Sequence, residues 1–236
     1  MGKEEVMSGK AGAAATLALG ACLALALVAS PARGWSNGVD GPDSFGTHDW
    51  ILKKAVTAAA EDADWVRLRV ALKATDDPDT ADGIDHASGT WWHVYDRWGE
   101  EYGGADEAAR VWFQRMQRRL DTGRPRAASN ALGYLAHIVG DIGNPMHTDS
   151  SDKEDGIHSS YEQAVDRRLH RYRFRHDGHD RATPASRTRA VARQAHKAYR
   201  RLVNAYDENG YNRRVHRITK RQLVRAANAI ADLIQS

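Results

Sequence analysis

The chain has 236 residues, 28% of them charged and 42% hydrophobic, which one globular domain of ordinary composition accounts for. That composition argues against repeat arrays, collagen-like chains and disordered tails. Lys plus Arg total 34 against 31 for Asp plus Glu, so the formal charge of +3 is too small to imply a nucleic-acid partner. The only cysteine is Cys22, so neither a disulfide framework nor a cysteine zinc site can form, while His is abundant at 11.

Taken in chain order, Ala11 to Ser30 is almost wholly Ala, Leu, Gly and Val, follows Lys3 and Lys10, and leads into Pro31-Ala32-Arg33-Gly34. This reads as a secretory signal over 1–34, with the small residues Ala32 and Gly34 placed for cleavage before Trp35. An uncleaved anchor is the alternative, since the run approaches spanning length, but its Ala and Gly content favours cleavage. The expected mature chain is exported, cysteine-free and without a transmembrane segment.

From Thr47, a plausible N-cap, the apolar spacing of Trp50, Ile51, Ala55 and Val56 predicts a helix through Ala60. A shorter helix is predicted over Asp64 to Ala74, and Thr75 to Gly89 reads as a loop rich in Asp, Thr and Gly. Further helices are predicted over Asp106 to Leu120 and Ala127 to Ile142, separated by Gly123-Arg124-Pro125, with Pro145 forbidding continuation. Ser159 to Phe174, then Thr183 to about Tyr206 with Pro184 in the first turn, then Thr219 to Ile234 complete the pattern. No segment shows strand alternation. The expected fold is all-α, a single-domain multi-helix bundle over Trp35 to Ser236 with functional groups projecting between helices. The basic stretch from Arg167 to Arg225 reads as solvated helix faces.

His137 and Asp141 stand four apart on one helix face and could share a metal ion. His147 follows just past Pro145, and His158 with Glu162 repeats the four-residue spacing. One such pair is usually an ion pair, but two bracketing a third histidine make a cluster of imidazoles and carboxylates that suits zinc. By contrast, His176 and His179 in HDGHD read as a solvated loop.

The segments HIVGDIGNPMH and HSSYE, with Trp35 and His48 in WSNGVDGPDSFGTHDWI and Asp79 and His93 in PDTADGIDHASGTWWHVYD, resemble the bacterial zinc-dependent phospholipases C in order along nearly all of the mature chain. The resemblance implies a trinuclear zinc site between helices. Asp79, His93, His137 and Asp141 would hold one zinc, and His147, His158 and Glu162 a second. His48, a bridging Asp141, and the α-amino nitrogen and carbonyl oxygen of Trp35 would hold the third. It further implies hydrolysis of the glycerophospholipid phosphodiester to diacylglycerol and a phosphorylated headgroup. Asp79 would act as the catalytic carboxylate, although Asp76, Asp77, Asp82 and Asp85 crowd the same loop. A secreted monomer acting on phospholipid at a membrane or micelle surface is expected, with no stable nucleic-acid partner.

The family's choline-binding positions fall here on Gly38, Thr80 and Thr90, so an aromatic cage is not carried over and headgroup preference is left open. Two other readings compete. A zinc-dependent single-strand nuclease would begin Trp-Gly with its first His closer and end its pattern in His-x3-Asp, where this chain has Glu162. A non-catalytic metal-binding protein would keep the cluster without turnover.

Overall fold

The computed structural model describes residues 35, 45–80, 84–95, 103–149 and 151–236. The expected signal segment, 1–34, and Asp82 lie outside the described residues. Those residues form helices α1 (Thr47–Ala58), α2 (Leu68–Lys73), α3 (Thr90–His93), α4 (Ala105–Asp121), α5 (Pro125–Gly143), α6 (Asp152–Asp166), α7 (Pro184–His196), α8 (Tyr199–Asn209) and α9 (Arg213–Ile234). There is no strand among the described residues, in agreement with the all-α expectation. None of their helices is long and apolar enough to cross a membrane.

The centre of the bundle is α5, which packs against α1, α2, α4, α7 and α9. Every residue from Ala131 to Gly143 is buried, so this helix is enclosed on all sides, and its faces are apolar except where His137 and Asp141 project. Small residues allow the neighbours to come close. A Cβ on Gly133 would lie 2.4 Å from the Ala71 carbonyl oxygen of α2, and one on Gly140 would lie 2.8 Å from His48 Nδ1 of α1. Around this axis, Trp112 stacks on Tyr134 at 4.0 Å, and Trp35 leans on Tyr161 at 5.6 Å.

The first turn of α1 is buried although it is polar, because its side chains are paired. Thr47 is the first helical residue rather than the cap, and its hydroxyl donates to Asp166 Oδ1 at 2.6 Å. Asp49 accepts from the Gly46 N–H at 2.9 Å and from the Thr75 hydroxyl at 3.3 Å. Burial raises the Asp49 pKa to about 6 against the pull of those hydrogen bonds.

Four helices differ from their predicted limits by several residues, the first being the expected Asp64 to Ala74 helix, which starts only at Leu68. Ser151, not Ser159, begins α6: its hydroxyl caps the Glu154 N–H at 3.4 Å, and Asp152, Glu154 and Asp155 supply first-turn negative charge. The same helix stops at Asp166, and 172–183 runs without helix. The expected Thr183 to Tyr206 helix keeps its cap, Thr183 accepting from the Ser186 N–H, but divides after His196. There the Ala198 N–H bonds back to Ala195, and α8 starts at Tyr199. Finally, α9 begins at Arg213, because Asn212 caps both Arg214 and Val215, at 2.8 and 3.1 Å.

Candidate metal centre

Among the described residues, three groups of side chains place ligand atoms within 4.8 Å of one another: His48, His137 and Asp141; Asp79, His93 and His137; and His147, His158 and Glu162. Each element contributes by its local geometry. From α5, His137 and Asp141 project one turn apart on one face, with Nε2 and Oδ2 3.1 Å apart. From α1, His48 brings Nε2 to 3.2 Å from Asp141 Oδ1. His93, last residue of the one-turn α3, sets Nδ1 2.7 Å from Asp141 Oδ2 and 3.1 Å from His137 Nε2. Asp79 closes a 3-10 turn (Asp77–Asp79) inside the expected loop, and its Oδ1 lies 3.5 Å from His137 Nε2 and 3.8 Å from His93 Nδ1. Asp85, the rival in that loop, lies on the surface and pairs with His86 and Arg115.

The remaining group forms around the end of α5. Pro145 stops that helix and opens a 3-10 turn (Pro145–His147), while His158 and Glu162 face inward from the middle of α6. His158 Nε2 is 2.9 Å from Glu162 Oε1, and His147 Nε2 is 3.8 Å from the same oxygen. Every one of these side chains is at most 9% exposed. Trp35 is buried, its ring against Tyr161 and its indole nitrogen without a hydrogen-bond partner. His176 and His179 are exposed, and His179 belongs to an ion-pair group with Asp232.

The tautomers follow from what the far ring nitrogens touch. His137 Nδ1 lies 2.6 Å from the Thr75 carbonyl oxygen, His93 Nε2 2.7 Å from that of Ala87, and His147 Nδ1 2.6 Å from that of His93. A carbonyl oxygen only accepts, so those nitrogens carry the proton. In the neutral rings, His137 Nε2, His93 Nδ1 and His147 Nε2 are then bare lone pairs aimed at one another and at carboxylates. His158 repeats the pattern with a side chain, its Nδ1 2.8 Å from Glu154 Oε1. Lone pairs 3.1 Å apart in a dry interior repel, and only a positive charge between them relieves it.

The electrostatics agree. Burial works to lower the His137 pKa, yet the charges of Asp141 and Asp79 outweigh it and lift it to about 9. His158 rises to about 10 in the same way, against burial, through Glu162 and Glu154. Burial opposes ionisation of Asp141, but His137 and His48 hold its carboxyl well below the usual range. His48 moves the other way, lowered by burial and by the nearby His137, and neither of its nitrogens is in hydrogen-bond geometry. These clusters therefore attract cations, and their donor set, imidazole nitrogen and carboxylate oxygen, fits zinc. Tetrahedral zinc with ligands at ~2.0–2.1 Å separates them by about 3.3 Å, comparable with the 2.7–3.8 Å between the paired imidazole nitrogens and carboxylate oxygens here.

Sequence spacing missed the residues that brace the ligands. Glu154 is buried, one turn before His158, and its other oxygen accepts from the Tyr199 hydroxyl at 2.9 Å. Asn144 Nδ2 donates to Glu162 Oε1 at 2.8 Å. The signal for Glu154 was present, since Glu154, His158 and Glu162 continue the four-residue spacing one turn further back. Nothing local marks Asn144, which acts across two elements.

The described fold is similar to that of clostridial alpha toxins. The alpha toxin of Clostridium absonum superposes with a TM-score of 0.66 at 16% identity, over 82% of this chain and 63% of that one. The alpha toxin of an avian strain of Clostridium perfringens gives 0.59 at the same identity and coverage. This chain thus spans less than two thirds of either toxin's length. No family model and no curated protein matches the sequence.

Proposed function

We propose that the chain is a secreted zinc-dependent phospholipase C, binding three zinc ions and hydrolysing glycerophospholipids to diacylglycerol and a phosphorylated headgroup. The observation that carries the reading is the set of imidazole nitrogens converging on shared carboxylates, with His137, His93, His147 and His158 each fixed from behind by a carbonyl or by Glu154. The motif order in the sequence supports the substrate class, and the likeness to the alpha toxins supports the fold.

In this reading Asp79, His93, His137 and Asp141 hold one ion and His147, His158 and Glu162 another. The third is held by His48, Asp141 and the main-chain nitrogen and oxygen of Trp35. Bound zinc would supply Lewis acidity, lowering the pKa of water from ~15.7 toward ~7 and offsetting charge on the phosphoryl oxygens. Asp79 orients the attacking water and takes its proton, its Oδ1 lying beside His137 and His93. Attack at phosphorus expels the diacylglycerol oxygen, which takes up the proton that Asp79 accepted from the water. Asp141 sits at the junction, its Oδ1 beside His48 and its Oδ2 beside His93 and His137, so one carboxylate bridges two ligand sets.

The test is metal content of the chain beginning at Trp35, measured by mass spectrometry, with release of phosphorylated headgroup from mixed phospholipids and hydrolysis of single-stranded DNA assayed in parallel. Three zincs with headgroup release is the expected result. Cleavage of DNA alone would make the protein a nuclease, and three zincs with no turnover would make it a metal-binding protein without this activity.

A further inference from the structure

At the opposite end of α5 from Asp141, a groove of about 1050 Å³ opens between α2, the end of α4 and the first turn of α5. Six cations line it: Arg67, Arg69, Lys73, Arg119, Arg124 and Arg126. The one carboxylate in its lining is Asp77, which is engaged by the Tyr134 hydroxyl. In a chain whose formal charge is only +3, this is a strong local concentration of one sign.

Few of these charges are neutralised by the protein. Arg67 donates to the Asp64 carbonyl oxygen at 3.3 Å and Arg119 to that of Ala127 at 2.8 Å, neither of them an anion. Among the described residues, the side chains of Arg69, Lys73, Arg124 and Arg126 make neither a hydrogen bond nor an ion pair. In the α5 groove, like charges gathered in a concave surface repel one another until a counter-charge enters. The backbone contributes the same sign, since Arg124 provides no side-chain cap for the first turn of α5.

We propose that this groove is a binding site for phosphate groups, separate from the metal centre. A phosphate ester suits it because it carries up to two negative charges on oxygens that accept paired N–H donors from several guanidinium groups at once. Such a group can reach the groove on a soluble phosphate or on a lipid headgroup, and the chemistry recognised is the same. The inference does not depend on the proposed hydrolysis, because it uses none of the groups assigned to the metals.

The experiment compares the native chain with two fourfold variants of equal net charge. One neutralises the groove (Arg69→Gln, Lys73→Gln, Arg124→Gln, Arg126→Gln). The other neutralises four exposed cations of α9 (Arg213→Gln, Arg217→Gln, Lys220→Gln, Arg221→Gln). All eight side chains are exposed, so both variants retain the core. Binding of pyrophosphate is read by calorimetry, and co-sedimentation is read with vesicles of phosphatidylcholine alone and of phosphatidylcholine mixed with phosphatidylglycerol. The expected result is binding to pyrophosphate, to the mixed vesicles or to both. It should weaken by at least about tenfold in the groove variant and remain within about threefold in the α9 variant. Pyrophosphate binding identifies a soluble ligand, and binding to mixed vesicles alone identifies a lipid headgroup. Failure of the native chain to bind either probe, or equal loss in the two variants, overturns the proposal. Binding is read without turnover, so it stands or falls apart from the phospholipase reading.

Discussion

The two halves of the metal centre are braced by different parts of the chain. Around Asp141, His137 and His93 are oriented by the carbonyl oxygens of Thr75 and Ala87, groups that no substitution removes. Around Glu162, a carbonyl, that of His93, orients His147, but the other two ligands are braced by side chains: Glu154 holds His158, and Asn144 holds Glu162. One half is therefore sensitive only at its ligands, whereas the other is tunable from outside them. Four predictions sharpen that contrast, ordered from the largest expected effect.

Asp141→Asn should do the most damage, because the carboxylate lies within 3.2 Å of His48, His93 and His137. It removes the charge that two ligand sets share, and it leaves a buried amide facing imidazole lone pairs. We expect loss of two zincs per chain and a fall in turnover of at least ~10³-fold, with a third zinc retained at Glu162. Zinc stoichiometry by mass spectrometry decides it, and retention of all three would remove Asp141 as a bridge.

Next in size is the start of the chain. A free α-amino group has a pKa near ~7.7–8.0 and can give up its proton to zinc, whereas a peptide nitrogen has its lone pair delocalised. A chain beginning at Gly34 should hold two zincs and turn over slowly beside one beginning at Trp35. If the two are alike in metal and rate, Trp35 is not a ligand.

Glu154→Ala should weaken zinc at the His147, His158 and Glu162 group by about 10–100-fold, the usual cost of losing a carboxylate behind a ligating histidine. Glu154→Gln keeps an acceptor and should lose less, and Tyr199→Phe, one hydrogen bond further out, least of all. Chelator competition ranks the three. An unchanged zinc affinity in Glu154→Ala would show that His158 is held by packing alone.

The smallest effect is a dependence on acid. Without a cation, His137 and His158 hold protons up to about 9 and 10, because neighbouring carboxylates overcome burial. Lowering the pH favours the imidazolium, so protons compete with zinc and affinity must fall as pH falls. More than one proton should be taken up per zinc released, which is measurable by zinc retention across a pH series.

What could be read from the sequence divides along similar lines. The α5 helix was legible because its apolar period runs unbroken between Gly123-Arg124-Pro125 and Pro145, and with it came His137, Asp141 and His147. Family resemblance brought His48, His93 and Asp79 onto the page, and the structure places all three beside His137 or Asp141. Helix starts at Ser151 and Asn212 were missed because the caps precede strongly polar turns, in which hydrophobic periodicity is silent. The division of the expected Thr183 to Tyr206 helix left no mark in the sequence, since no Gly or Pro stands at 196–199. Its consequence is tertiary: α8 presents Tyr199 to Ser151 and Glu154 on α6.

His93 belongs to both halves at once. Its imidazole faces Asp141 and His137, while its own carbonyl oxygen accepts from His147 Nδ1. On the proposed zinc reading, an ion at the first cluster would fix the single turn of α3, and that turn carries the acceptor for His147 in the second. The ions would then be coupled through one residue's main chain, and occupancy plotted against free zinc should rise with a Hill slope above one across the two clusters.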